Sequence, residues 1–236
     1  MLFNAGEAQR PLPRNDPRAA HLLEVLRRRP GDTFDAGLID GPRGRGTLVA
    51  VGADALTLAF AWGDEPPPPD PITLVVGMPR PQTARDILRD ATTLGLAAMH
   101  FVLCERTEHS YARSALWTGD EWRRCVLTGV AQAFDTRVPG VTHGTPLAET
   151  LARLPGGVAR LALDNYEASA PLARQSLARG AAVALAIGPE RGWSNHDREL
   201  LRAGGFTLVG LGPRVLRTET AVVAALTLVK AARGSP

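Results

Sequence analysis

The chain has 236 residues, 44% of them apolar and 22% charged; this excludes disorder over most of its length, and no run reaches the roughly 18 apolar residues of a membrane span. The formal charge is +3, and Lys230 is the single lysine among 27 cationic side chains, so positive charge sits on planar arginine forks suited to phosphate. Cys104 and Cys125 are too few for a disulfide scaffold, and His21, His100, His109, His143 and His196 show no metal-ligand spacing, so no metal site is expected.

The opening MLFNAGEAQRPLPR has no hydrophobic stretch of the secretion type, and a cytoplasmic location is expected. A helix is predicted over 21–29, stopped by Pro30-Gly31, followed by short strands over 34–40, 46–51 and 55–62 between Gly, Pro and Asp turn residues. These elements suggest a small β-barrel-like domain over 1–65. The proline run 66–69 with Asp70-Pro71 reads as a linker over 66–71, because it suits neither a helix nor a central strand.

From 72 to 236 the pattern becomes α/β. Apolar runs at 72–76, 99–103, 158–163, 181–187 and 206–211 lack polar alternation, as strands do when helices cover both faces of a parallel sheet. Helices are predicted over 81–94, 120–134, 171–179, 194–203 and 219–232. Two loops near the C-terminus join a strand directly to a helix. The first, IGPERGWS (187–194), carries Gly188, Gly192 and an S-x-x-D capping signature from Ser194 to Asp197. The second, LGPRVLRTETA (211–221), places hydroxyl residues as the expected N-cap of the last helix. Ligands of open α/β sheets lie beyond the carboxyl ends of the strands, so the two loops imply one shared pocket. Neither loop has the glycine fingerprint of a dinucleotide fold or a P-loop. A pocket with a main-chain floor and an apolar wall suits an adenosine-type ligand.

These two segments, with weaker likeness through CERT (104–107), TLGL (93–96), RVP (137–139) and HLLEVLRRRPGD (21–32), resemble the RsmE family of ribosomal RNA uridine N3-methyltransferases, within the SPOUT superfamily. The resemblance implies an N-terminal PUA-like RNA-binding barrel and a parallel-sheet domain whose C-terminal segment is threaded into a trefoil knot. It implies S-adenosylmethionine as cofactor, the small-subunit ribosomal RNA of the 30S subunit as partner, and a homodimer paired through the knotted domain. Carried over by position, Leu163, Ile187, Gly188, Pro189, Glu190 and Gly192 would line one side of the cofactor, and Leu211, Gly212, Val215, Leu216 and Thr218 the other.

Methylation at N3 of uracil requires loss of the N3 proton, in-line attack on the sulfonium methyl and exclusion of water. Glu219 is the candidate base, and Arg217 the candidate stabiliser of charge on a uracil oxygen. Arg27, Arg28, Arg29, Arg80, Arg106 and Arg137 are candidates for phosphate contact. Arg191 stands where the family usually has glycine, Thr93 where it has glutamate and Asp135 where it has arginine. These departures keep two alternatives open: a SPOUT methyltransferase with another RNA target, and a protein of this fold that binds RNA or assists ribosome assembly without turnover.

Overall fold

A computed structural model describes residues 1–234. The chain divides into two compact units, 1–68 with 130–138, and 69–129 with 139–236.

The first unit is built on a five-stranded sheet. In chain order it comprises β1 (Leu2–Phe3), β2 (Leu12–Pro13), α1 (Pro17–Ala20), β3 (Thr33–Leu38), β4 (Arg43–Val51) and β5 (Ala55–Trp62). The sheet order is β1-β3-β4-β5-β2, with β1 parallel to β3 and the other pairs antiparallel. Phe3, Leu22, Phe34, Leu48 and Leu56 fill its core. Gly46 lies opposite Phe60 on the neighbouring strand, and a Cβ there would stand 2.3 Å from the Phe34 ring. The aromatic rings thus occupy the space that a side chain on β4 would take. Arg18 braces the chain end, donating to Glu7, Asp16 and the Leu2 carbonyl, with its guanidinium 4.8 Å from the Phe3 ring centroid. Hydrogen bonds from Arg18 hold both carboxyls below their ordinary range.

The predicted helix over 21–29 is displaced. Asp16 accepts the Arg18 amide as N-cap and Pro17 occupies the first turn, so the helix begins at Pro17 and passes into a wide π turn over His21–Val25. Arg27, at φ +52°, lies beyond its end. The segment 130–138 completes this unit: Thr136 accepts the Asp40 amide through its carbonyl and donates its hydroxyl to Gly41, while Arg137 donates to the Asp40 carbonyl at 2.8 Å and to Glu65 at 3.2 Å.

The second unit is a seven-stranded, wholly parallel sheet. It runs β6 (Asp70–Gly77), α2 (Pro81–Thr93), β7 (Leu96–Leu103), α3 (Ala115–Thr118), α4 (Glu121–Gln132), β8 (Gly140–Pro146), α5 (Leu147–Arg153), β9 (Ala159–Leu163), β10 (Ala170–Pro171), β11 (Val183–Ile187), α6 (Asn195–Ala203), β12 (Thr207–Gly210) and α7 (Thr218–Ala232). The last residues of α4 fall in the first unit. Strand order is β10-β12-β9-β11-β6-β7-β8. Every residue of β11 is buried, as the unbroken apolar run required. On one face, Leu147 and Leu151 of α5 and Leu201 of α6 join Val75, Val102, Ala184 and Ala186 in a single cluster. Among the described residues no helix is long and apolar enough to cross a membrane.

Two expectations fail here, and two elements are not foreseen. The helix over 171–179 is absent: Ala170–Pro171 pairs with β12 as an edge strand, and a single 3₁₀ turn, Leu172–Arg174, follows. Leu172 is the one buried side chain of that stretch, too little to anchor an amphipathic face. Asp70 and Pro71, read as linker, open β6; the register shifts between Asp70 and Thr73, a position where proline's missing donor is tolerated. β8 and α5 are elements that the sequence reading does not contain.

Candidate functional site

In the second unit β7 and β8 lie on one side of β6, while β11, β9 and β12 lie on the other. Loops leaving the carboxyl ends of strands on both sides of such a switch diverge and leave a crevice. Here the crevice is a cavity of about 520 Å³, walled by the loops after β6, β9, β11 and β12 and by the first turns of α2 and α7.

The loop after β11 is fixed at three points. Gly192, at φ +67°, donates its amide to the Pro189 carbonyl at 2.7 Å, closing a tight turn. Ser194 and Asp197 form the reciprocal capping box that starts α6. Glu190 accepts the Arg80 amide at 3.0 Å, tying this loop to the N-terminus of α2. Trp193 is buried, and its indole N–H donates to the Leu163 carbonyl at 2.9 Å. The loop also needs Gly77 at the end of β6, where a Cβ would stand 2.3 Å from Pro189 Cδ and 2.7 Å from Pro189 N. Gly77→Ala is therefore expected to push the loop outward. It should cost about 1–3 kcal/mol of stability and weaken binding of the expected cofactor, S-adenosylmethionine, by about tenfold, measured by calorimetric titration. Wild-type affinity in this variant would show that the loop does not shape the cofactor site.

The loop after β12 passes Gly212 at φ +112° and enters α7. The expected hydroxyl cap is not formed: Arg217 is the N-cap residue, without a side-chain cap, and Thr218 is the buried first residue of the helix. Glu219 follows in the first turn, where the helix dipole favours a carboxylate. Its carboxylate lies 4.0 Å from the Arg217 guanidinium.

Of the residues expected to hold the cofactor, Leu163, Ile187, Gly188, Pro189, Glu190 and Gly192 line the cavity from one side. Leu211, Val215, Leu216 and Thr218 line it from the other, while Gly212 is outside the lining. Arg217, Glu219 and Arg80 line it as well. Arg106 stands nearby, donating to the carbonyl of Arg191, whose side chain is exposed and outside the cavity. Arg27, Arg28 and Arg29 lie in the first unit, beyond the π turn. Arg137 is engaged there by Asp40 and Glu65, which gives its guanidinium a structural task. Asp135 accepts the amides of Thr136 and Arg137 in a tight turn, and the Thr93 hydroxyl caps the Asp90 carbonyl.

Sequence reasoning missed two parts of the wall. One is the loop after β9, with Asp164, Asn165 and Tyr166, backed by Arg198 of α6; the other is Gln82, Thr83 and Asp86 on α2. Asp164 and Arg198 form a buried ion pair at 2.7 Å, with side-chain exposures of 2% and 5%. The loop after β9 has no glycine and leads to β10 rather than into a helix, so the pattern that marked the other two loops passes over it; its position at the carboxyl end of a predicted strand is the one signal that could have found it. The carboxylates of the wall differ in freedom. Asp164 accepts two amides and Arg198, Glu190 accepts Arg80, and Asp86 accepts Arg89. Glu219 has only its looser contact with Arg217 among the described residues.

Burial, reinforced by the Asp197 carboxylate, pushes the Cys104 thiol far up, so it remains a neutral packing group against Gly77. Burial lowers His100 and His143 and raises Cys125; neither cysteine is activated as a nucleophile.

The cavity fits a nucleoside-sized cofactor. Ile187, Val209 and Leu211 offer an apolar wall, and glycine at position 188, where a Cβ would meet Trp193 N at 3.2 Å, keeps the main chain close.

The sequence profile of the RNA methyltransferase domain matches residues 66–230. Ribosomal RNA small subunit methyltransferase E of Treponema pallidum is 34% identical over 228 residues, covering 92% of this chain and 83% of that protein. A probable rRNA methyltransferase from Porphyromonas gingivalis superposes with a TM-score of 0.83 at 21% identity, over 99% of this chain and 98% of that one. The ribosomal RNA small subunit methyltransferase E of Neisseria gonorrhoeae, bound to S-adenosyl methionine, does so with a TM-score of 0.73 at 25% identity, over 91% and 89%.

Proposed function

The chain belongs to the RsmE family of RNA methyltransferases, and from that membership we propose that it methylates N3 of a uridine in small-subunit ribosomal RNA, with S-adenosylmethionine as donor. The observation that carries this reading is the cavity at the topological switch, where the loop 211–217 and the first turn of α7 bring Arg217 and Glu219 to the same space as the main-chain wall of 187–192. Bound S-adenosylmethionine supplies an electrophilic methyl group. The protein's own residues do the rest. Leu163, Ile187, Leu211 and Leu216 exclude water from the reacting atoms. Glu219 takes the proton from uracil N3, and Arg217 faces the charge that develops on a uracil oxygen.

In this reading the first unit serves as a PUA-like RNA-binding domain and the second as the catalytic domain. Arg27, Arg28, Arg29, Arg80 and Arg106 contact phosphates. The knotted pairing of two copies and a cytoplasmic site of action follow from the same family reading. The test is calorimetric titration with S-adenosylmethionine, followed by transfer of labelled methyl to small ribosomal subunits lacking the modification. Saturable binding and one label per subunit, on uridine N3, is the expected result. Binding with transfer only to another RNA would replace the substrate, and binding without any transfer would replace the activity by an RNA-binding role.

A further inference from the structure

Of the two aromatic side chains on the cavity wall, Trp193 is buried and Tyr166 is not. It lines the cavity, yet 78% of it is open to water. The ring is not loose. Asp164 Oδ1 accepts the amides of Tyr166 at 2.7 Å and Glu167 at 2.6 Å, fixing the turn that presents it. The Arg198 guanidinium carbon lies 5.5 Å from the ring centroid. Arg198 is itself buried and held by Asp164 Oδ2 at 2.7 Å and by Asn195 at 3.3 Å. A guanidinium so placed is attracted to an aromatic π-system and limits how far the ring can swing.

A braced, exposed aromatic ring at a cavity mouth has the properties of a stacking platform, because it offers a flat apolar surface with little entropy left to lose. Across the same cavity, Val215 is 76% exposed and Leu216 39%, so apolar surface open to water flanks the mouth from two loops. The buried part of the wall, at Ile187 and Val209, already suits the adenine of a cofactor. The surface at Tyr166 is open to solvent.

We propose that Tyr166 stacks on a splayed-out base of the RNA substrate and holds it at the mouth of the cavity, an inference that rests on the RNA-methyltransferase reading above. The ring contributes its π-face, so phenylalanine substitutes for it, whereas leucine, with comparable apolar bulk, does not.

The test uses the full chain and the variants Tyr166→Phe, Tyr166→Leu and Tyr166→Ala. Binding of a fluorescein-labelled single-stranded oligouridine is followed by anisotropy, and S-adenosylmethionine binding by calorimetry. Tyr166→Ala and Tyr166→Leu are expected to weaken oligouridine binding by about tenfold, with Tyr166→Phe within twofold of wild type and cofactor affinity unchanged in all three. With small ribosomal subunits as substrate, KM rises by a similar factor while kcat changes less. Oligouridine binding that is unchanged in Tyr166→Ala, or absent from the wild-type protein, overturns the proposal. So does a loss confined to cofactor affinity, which would place the ring on adenine. Weakened oligouridine binding in a protein that transfers no methyl to subunits would uphold the stacking role and remove the proposed activity, so the two failures are distinct.

Discussion

Glu219→Gln is expected to reduce methyl transfer by about 10²–10⁴-fold while leaving S-adenosylmethionine affinity within twofold. The amide is isosteric with the carboxylate, so the first turn of α7 and the cavity wall keep their shape. What changes is the capacity to accept a proton. Glu219 is the cavity carboxylate that other groups leave most free: Asp164, Glu190 and Asp86 each hold hydrogen bonds to arginine or main chain, whereas Glu219 meets Arg217 only at 4.0 Å. A structural role would read differently. A carboxylate in the first turn of a helix contributes about 0.3–1 kcal/mol through the helix dipole, so a purely structural Glu219 would shift the urea midpoint slightly and leave turnover near wild type. Full turnover in Glu219→Gln would assign proton removal to another group or to water.

The second large effect concerns the buried pair behind the cavity. Asp164→Ala is expected to lower stability by about 3–5 kcal/mol, because Arg198 would stay buried with only its looser contacts to Glu167 at 3.7 Å and Asn195 at 3.3 Å. Two amides, of Tyr166 and Glu167, would lose their acceptor in the same change. Arg198→Met should cost less, since Asp164 keeps both amides and methionine fills the volume of the arginine stem. The double variant is expected to recover part of the loss, as buried ion pairs replaced on both sides commonly do. Urea unfolding at constant slope measures all three. A loss below about 1 kcal/mol in Asp164→Ala would mean that water reaches Arg198.

The central sheet was legible because β6, β7, β9, β11 and β12 carry apolar side chains on both faces, a pattern that needs no knowledge of neighbours. β8 was not: it is an edge strand with Gly140 and Gly144 and no fully buried residue, so it lacks the run that marks the others. The helix over 171–179 was overread from local propensity, which Leu172 alone could not satisfy in the packed structure. Helix starts were clear where side chains cap the backbone, as at Ser194, and misplaced where the cap was overlooked, as at Asp16-Pro17. The site divides along the same line. Its two strand-to-helix loops announce themselves by glycine and proline at fixed offsets. Gln82, Thr83 and Asp86 reach the cavity because of where α2 packs, with its N-terminus tied to Glu190, a fact that no local pattern holds. Arg198 likewise appears as one more surface arginine until Asp164 is seen against it.

The interrupted first unit has a consequence for biogenesis. Its sheet is encoded before Pro68, yet 130–138 belong to it: Thr136 bonds Asp40 and Gly41, and its methyl group fills the space beside Gly37 that a Cβ would claim at 2.4 Å. A ribosome making about 5–20 residues per second takes roughly 4–14 s to travel from Pro68 to Val138. Through that interval the sheet of the first unit lacks the segment 130–138, and β6, made early in it, still waits for β11, the strand that pairs its other edge. Each unit therefore depends on residues made long after its first strands, and a fragment ending at the proline run would lack residues 130–138 of the first unit.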